Sequence, residues 1–92
     1  MVFLTIKYGY TLTLNNITIQ NMNSASNGGA IDNNGTLNIY DSVIVNNTAY
    51  AGGAIFNEGY LYIKNSQVMY NYADFGGAIR NSGRAILFKS SF

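Results

Sequence analysis

Apolar and polar residues alternate along this chain in short runs of three to five positions, bounded by Gly, Asn, Asp and Ser. A period of two marks a strand with one face buried, and no stretch has the 3.6-residue period of a helix. The runs return in register. Gly28-Gly29-Ala30-Ile31 recurs as Gly52-Gly53-Ala54-Ile55 and as Gly76-Gly77-Ala78-Ile79, 24 residues apart each time. Asn33, Asn57 and Asn81 fall in phase, as do Gly35, Gly59 and Gly83, and Ser42, Ser66 and Ser90. Leu37-x-Ile39 matches Leu61-x-Ile63, with Ala85-x-Leu87 a weaker third copy; Ile44, Val68 and Phe92 share another phase. Asn47 and Ala49 pair with Asn71 and Ala73. Leu12-x-Leu14, Ile19 and Ala25 form an earlier copy, one residue longer near Met22.

A 24-residue unit is too short for a helical repeat and suits one turn of a parallel β-helix, with three short strands and three corners. The expected fold is therefore all-β, a right-handed parallel β-helix (solenoid) of about three and a half coils in a single segment. The coils span about 4–27, 28–51, 52–75 and 76–92. Successive coils stack about 4.8 Å apart, so equivalent positions lie above one another. Inward Ile31, Ile55 and Ile79 then build a continuous core, and inward Asn33, Asn57 and Asn81 form amide ladders that satisfy corner backbone groups. The pairs Gly28-Gly29, Gly52-Gly53 and Gly76-Gly77 are expected to turn corners with φ > 0 and to allow close approach. A solenoid without caps exposes strand edges and core at its ends. The chain is accordingly expected to be a fragment of a longer array, packed on flanking coils, or to associate end to end; alone it should be marginal.

Repeated Gly-Gly-Ala-Ile, followed by an aliphatic-x-x-Asn element at Ile44-x-x-Asn47 and Val68-x-x-Asn71, resembles the repeats of chlamydial polymorphic outer membrane proteins. It also resembles the Asn-rich adhesin-like β-helix proteins of methanogenic archaea. The resemblance covers about Leu12 to Phe92. The chlamydial pattern has Phe where Ile44 and Val68 stand here, which favours the broader adhesin-like group. It implies a cell-surface or secreted protein that mediates adhesion.

Composition narrows the chemistry. Cys, Pro, His and Trp are absent, which removes disulfides, Cys/His metal sites and a Ser-His-Asp triad. Only 10% of residues are charged and the net charge is +1, too little for a phosphate-neutralising stripe, so nucleic acid is not an expected partner. No apolar run nears the ~20 residues of a spanning helix, and direct membrane insertion is not expected. The β-helix is also a fold of polysaccharide lyases and glycoside hydrolases, which need paired carboxylates or Ca²⁺-binding acid clusters. Asp32, Asp41, Glu58 and Asp74 occupy four different phases of the repeat, and no carboxylate pair emerges. The Gly pairs lack the following helix and Lys of a phosphate-binding loop. No catalytic residue, cofactor or metal ligand is therefore assigned, and the chain is not read as an enzyme. The alternative is a fragment of a carbohydrate-active enzyme whose active site lies elsewhere.

Alternation sends Thr36, Asn38 and Tyr40, then Tyr60, Tyr62 and Lys64, then Arg84, Ile86 and Phe88 outward on adjacent coils. Tyr40, Tyr60, Tyr62, Lys64, Arg84 and Phe88 make a candidate face for a surface glycan, by CH–π stacking, or for a protein. Tyr also suits exposed strands for structural reasons alone. A second outward strip of Val43, Val45 and Met69 is apolar. Asn16, Asn34 and Asn46 begin Asn-x-Thr sequons, and Asn34-Gly35 is a candidate deamidation site.

Overall fold

In the computed structural model of the chain, residues 4–23, 29–75, 77 and 79–88 are described. Among the described residues, thirteen short strands wind into a parallel β-solenoid of about three turns. The first coil holds β1 (Leu4–Ile6), β2 (Thr11–Asn15) and β3 (Thr18–Gln20). The second holds β4 (Ile31–Asn33), β5 (Thr36–Tyr40), β6 (Val43–Val45) and β7 (Thr48–Ala51). The third repeats these as β8 (Ile55–Asn57), β9 (Tyr60–Lys64), β10 (Gln67–Met69) and β11 (Tyr72–Phe75). Then follow β12 (Ile79–Asn81) and β13 (Arg84–Phe88). Each strand pairs only with its counterparts in neighbouring coils, giving parallel sheets β1-β4-β8-β12, β2-β5-β9-β13, β3-β6-β10 and β7-β11.

A full coil thus carries four strands, one more than the hydrophobic pattern predicts. The additional strand, Thr48–Ala51, turns small Ala residues toward the interior, and Ala gives little strand signal in the sequence. Its start folds against the second glycine of the Gly-Gly pair within the same coil. A Cβ on Gly53 would lie 2.6 Å from the Tyr72 nitrogen, and one on Gly29 would strike the Thr48 carbonyl. The two glycines of a pair therefore differ: Gly52 turns the corner at φ 64°, while Gly53 serves close approach without a positive φ. At the next corner the positive φ falls on Gly77 (54°). Gly28 and Gly76 lie outside the described residues, as do Ala25, Ala78, Ser90 and Phe92.

From the second coil to the third every pairing is offset by 24 residues, as in Leu37↔Leu61 and Ile44↔Val68. Between the first and second the offset is 25 at Leu12↔Leu37 and remains so at Asn23↔Thr48. The offset of 25 thus persists to Asn23, beside Met22, near which the sequence places the extra residue. A separate enlargement precedes β2, where Leu4 pairs with Ile31 at an offset of 27. Four residues, Lys7 to Tyr10, form that corner, against two in the later coils.

Ile31, Leu37, Ile39 and Ile44 of the second coil, and Ile55, Leu61, Ile63 and Val68 of the third, have no solvent exposure. Each aliphatic sits on another aliphatic in the next coil, Ile31 on Ile55 and Leu37 on Leu61 but Ile44 on Val68, so the core is a set of stacked hydrocarbon columns. Among them runs the predicted Asn ladder. Asn33 Nδ2 donates to Asn57 Oδ1, and Asn57 Nδ2 to Asn81 Oδ1, both at 2.7 Å. Each Oδ1 also accepts the N–H of the glycine two residues on, at Gly35, Gly59 and Gly83. The spare Nδ2 protons reach the carbonyls of Tyr60 and Arg84. A second ladder joins Asn47 to Asn71, whose Oδ1 accepts both the backbone N–H and the Nδ2 of Asn47 at 2.9 Å.

The phase of Ser42 and Ser66 has a related cause. Ser66 Oγ accepts the Ser42 N–H at 3.0 Å, and each hydroxyl donates to the carbonyl two residues before it. These serines cap corners whose preceding residue is left-handed, Asp41 and Asn65 at φ 51° and 57°, and Asn16, before Ile17 at the same corner of the first coil, has φ 58°. The following corner uses Asn21, Asn46 and Tyr70 at φ 61°, 58° and 56°. Asn adopts this region readily because its amide bonds locally; a Tyr gains nothing comparable and is strained by about 1–2 kcal/mol.

Two outcomes follow. Asn57→Ala, which breaks the ladder on both sides of a fully buried amide, should cost about 2–4 kcal/mol in urea denaturation followed by circular dichroism. Tyr70→Asn should gain about 1 kcal/mol in the same assay, because it relieves the left-handed strain at an exposed side chain.

Candidate functional site

The sheet β2-β5-β9-β13 presents the predicted aromatic face. Its inward residues Leu37, Ile39, Leu61 and Ile63 are buried, and the residues between them point out. Register places Thr36, Tyr60 and Arg84 in one outward column; Asn38, Tyr62 and Ile86 in the next; and Tyr40, Lys64 and Phe88 in the third. The rings of Tyr40 and Tyr62 meet edge to face, 5.8 Å apart at 65°, across neighbouring columns. Lys64 Nζ lies 5.9 Å from the centre of the Phe88 ring. Tyr40, Tyr62, Lys64 and Phe88 are thus joined in one patch, with Tyr60 and Arg84 along its other margin. Edge-to-face rings and a cation over a ring are each worth about 0.5–1.5 kcal/mol, which holds the aromatic planes in defined orientations.

The strip of Val43, Val45 and Met69 is half-buried on the outer side of β6 and β10. Asn16, Asn34 and Asn46 all occupy corners; Asn16 and Asn46 are exposed, and Asn34 is half-buried. The Gly35 nitrogen, which must attack Asn34 for deamidation, donates its proton to Asn33 Oδ1 at 3.1 Å and is held in the ladder.

Asp41 and Asp74 lie apart from the other acids, as their phases imply. Asp41 Oδ1 accepts from Asn65 Nδ2 at 2.7 Å, and Asp74 Oδ1 accepts from the Tyr72 hydroxyl at 3.4 Å. Asp32 stacks between Thr5 and Phe56 on the outer face of β4, with Arg80 beyond Phe56. The Arg80 guanidinium lies 5.9 Å from the Phe56 ring centre, and Phe56 is only 8% exposed. Asp32 Oδ1 is buried without a hydrogen-bond partner. Burial first, and the nearby Glu58 carboxylate second, raise the Asp32 carboxyl above its ordinary 3.8. The Glu58 carboxylate thus bears on Asp32 from a different phase of the repeat, which the sequence did not reveal. Among the described residues no three acids converge as metal ligands. None contains a helix long and apolar enough to cross a membrane.

A groove absent from the sequence reading lies at the corner between the β4 and β5 sheets. It has a volume of about 430 Å³ and crosses three coils, lined chiefly by Tyr8, Thr11, Asn34, Thr36, Glu58 and Tyr60. Tyr60 belongs both to this groove and to the aromatic face. The signal available in the sequence was the two-residue enlargement at Lys7–Tyr10, visible only once Leu4 is aligned with Ile31.

Comparison with protein-family models, with curated proteins and with solved structures returns no match to this chain.

The pH dependence of stability should report on Asp32. A carboxyl whose folded pKa exceeds its unfolded one binds more protons when folded, so stability falls as pH rises from 3.8 through the raised value. Thermal melts across that window should show this loss, and Asp32→Asn should flatten it and be the more stable protein at neutral pH. An unchanged slope in the variant would assign the dependence to another group.

Proposed function

We propose that this chain is a non-catalytic structural and binding segment of a cell-surface, adhesin-like β-helix protein. The solenoid acts as a rigid spacer, and its outward side chains meet a surface glycan or a protein. The observation that carries this reading is the patch of Tyr40, Tyr62, Lys64 and Phe88, a set of oriented aromatic planes on an otherwise weakly charged solenoid. Tyr suits such a role because it offers a large amphipathic contact at little conformational cost. The scaffold supports it further. Parallel pairing in one register and buried amide ladders hold the strands, so the face is preorganised before a partner arrives. The likeness of the Gly-Gly-Ala-Ile units to surface adhesin repeats supports the location.

The test is a glycan array and a cell-binding assay with the 92-residue chain and its Tyr40→Ala/Tyr62→Ala variant. The reading expects binding that falls by about tenfold in the variant, a loss near 1.4 kcal/mol, with unchanged circular dichroism. Equal binding by both proteins would remove the aromatic face from the function.

A further inference from the structure

We infer that the groove beside the Lys7–Tyr10 corner is a binding site for a neutral, linear oligosaccharide laid along the solenoid axis. The inference rests on the reading of the segment as a binding module, and gives that module a ligand class and a second site.

The first argument is the corner itself. Two residues, 34–35 or 58–59, suffice to join the equivalent strands of the later coils, whereas the first coil uses Lys7 to Tyr10. Stacking does not require the insertion, since Thr11 returns to pair with Thr36. Its effect is to put Tyr8 and Tyr10 into solvent, at 89% and 70% exposure. An inserted corner that holds aromatic rings in water is an unfavourable arrangement for folding, and insertions on rigid scaffolds are where binding groups concentrate.

The second argument is the shape of the groove. It runs across the strands, from Tyr8 and Thr11 on the first coil, past Asn34 and Thr36 on the second, to Glu58 and Tyr60 on the third. Its side chains therefore repeat at the coil spacing of about 4.8 Å. That is close to the advance of one pyranose unit along an extended glycan, so each sugar can face one coil.

The third argument is chemical. Much of the backbone polarity along the floor is already paired. Thr36 N–H donates to the Tyr10 carbonyl, Tyr60 N–H to Gly35 and Arg84 N–H to Gly59, while the Gly35 and Gly59 N–H groups are held by Asn33 and Asn57. Recognition falls to side chains: two phenol rings at the ends, with two hydroxyls, one amide and one carboxylate between them. Such a set both donates and accepts, as sugar hydroxyls require, and offers rings for CH–π contact. Among the described residues no Lys or Arg lines the groove, so no cation is placed there to pair with phosphate, sulfate or uronate groups. An exposed carboxylate is screened by solvent and salt and holds a cationic peptide only weakly by charge.

The experiment is a titration of the ¹⁵N-labelled 92-residue chain, followed by its amide resonances. The neutral probes are tetrasaccharides of glucose, mannose, xylose and N-acetylglucosamine; oligolysine and a heparin tetrasaccharide are the charged comparators. Saturable shifts at residues 34–36 and 58–60 with at least one neutral probe are expected. Tyr8→Ala and Glu58→Gln should each raise the half-saturation concentration by about tenfold, and Tyr70→Asn, an exposed position outside both the groove and the aromatic face, should leave it within about twofold. Tyr8 and Glu58 are exposed, so neither change threatens the fold, and the amide spectrum of each variant reports that directly. Response only to oligolysine or to heparin would overturn the ligand class. Neutral-glycan binding that follows Tyr40 and Tyr62 but ignores Tyr8 would overturn the groove while leaving the aromatic face in place. Silence with every neutral probe would overturn the inference and leave the cell-binding assay to judge the wider reading.

Discussion

Every inward side chain in this solenoid must tolerate contact with its own copy. Parallel coils in one register place position n on position n + 24, so a buried polar residue has to be complementary to itself. A carboxamide meets that condition, because its Nδ2 donates upward while its Oδ1 accepts from below. Asn33, Asn57 and Asn81 do this at 2.7 Å. A carboxylate in the same column would set acceptor against acceptor and bring buried charges together. The ladder does more than satisfy itself. Its oxygens hold the Gly35, Gly59 and Gly83 nitrogens and its protons reach carbonyls of the next coil, so corner and coil spacing are set by the same group.

The hydrocarbon columns and the glycines obey the same rule. Ile on Ile and Leu on Leu fill equal widths, and the coils approach at the close distance that parallel hydrogen bonding demands. A Cβ on Gly59 or Gly83 would meet the backbone of the coil before it, with the Asn34 or Glu58 carbonyl carbon 2.8 Å away. Glycine at that phase is therefore a packing requirement at Gly35, Gly59 and Gly83.

Outward positions escape the constraint, and there the chain stops repeating itself. The column of Asp32 reads Thr, Asp, Phe and Arg; the column of Tyr40 reads Asn, Tyr, Lys and Phe. A regular core carrying an irregular exterior is a means of displaying particular groups at fixed intervals. The buried, unpartnered Asp32 oxygen marks one place where exterior chemistry is retained at a cost to stability.

The sequence by itself determined whatever depends on phase. Period-two alternation declared strands, and the 24-residue recurrence declared stacked parallel coils. Together they sorted Leu37 from Asn38 and Leu61 from Tyr62, and so predicted the aromatic face. These features were legible because each is the same local preference stated two or three times. The tertiary structure alone decided what depends on how a coil closes. The fourth strand at Thr48–Ala51 was hidden because its inward residues are alanines, and the separate duties of Gly52 and Gly53 depend on where that strand folds. The influence of Glu58 on Asp32 and the groove between Tyr8 and Tyr60 join residues of unlike phase across a corner. A repeat shows which residues stack, because stacking copies one position onto itself; only the path of the chain around its corners shows which different positions become neighbours.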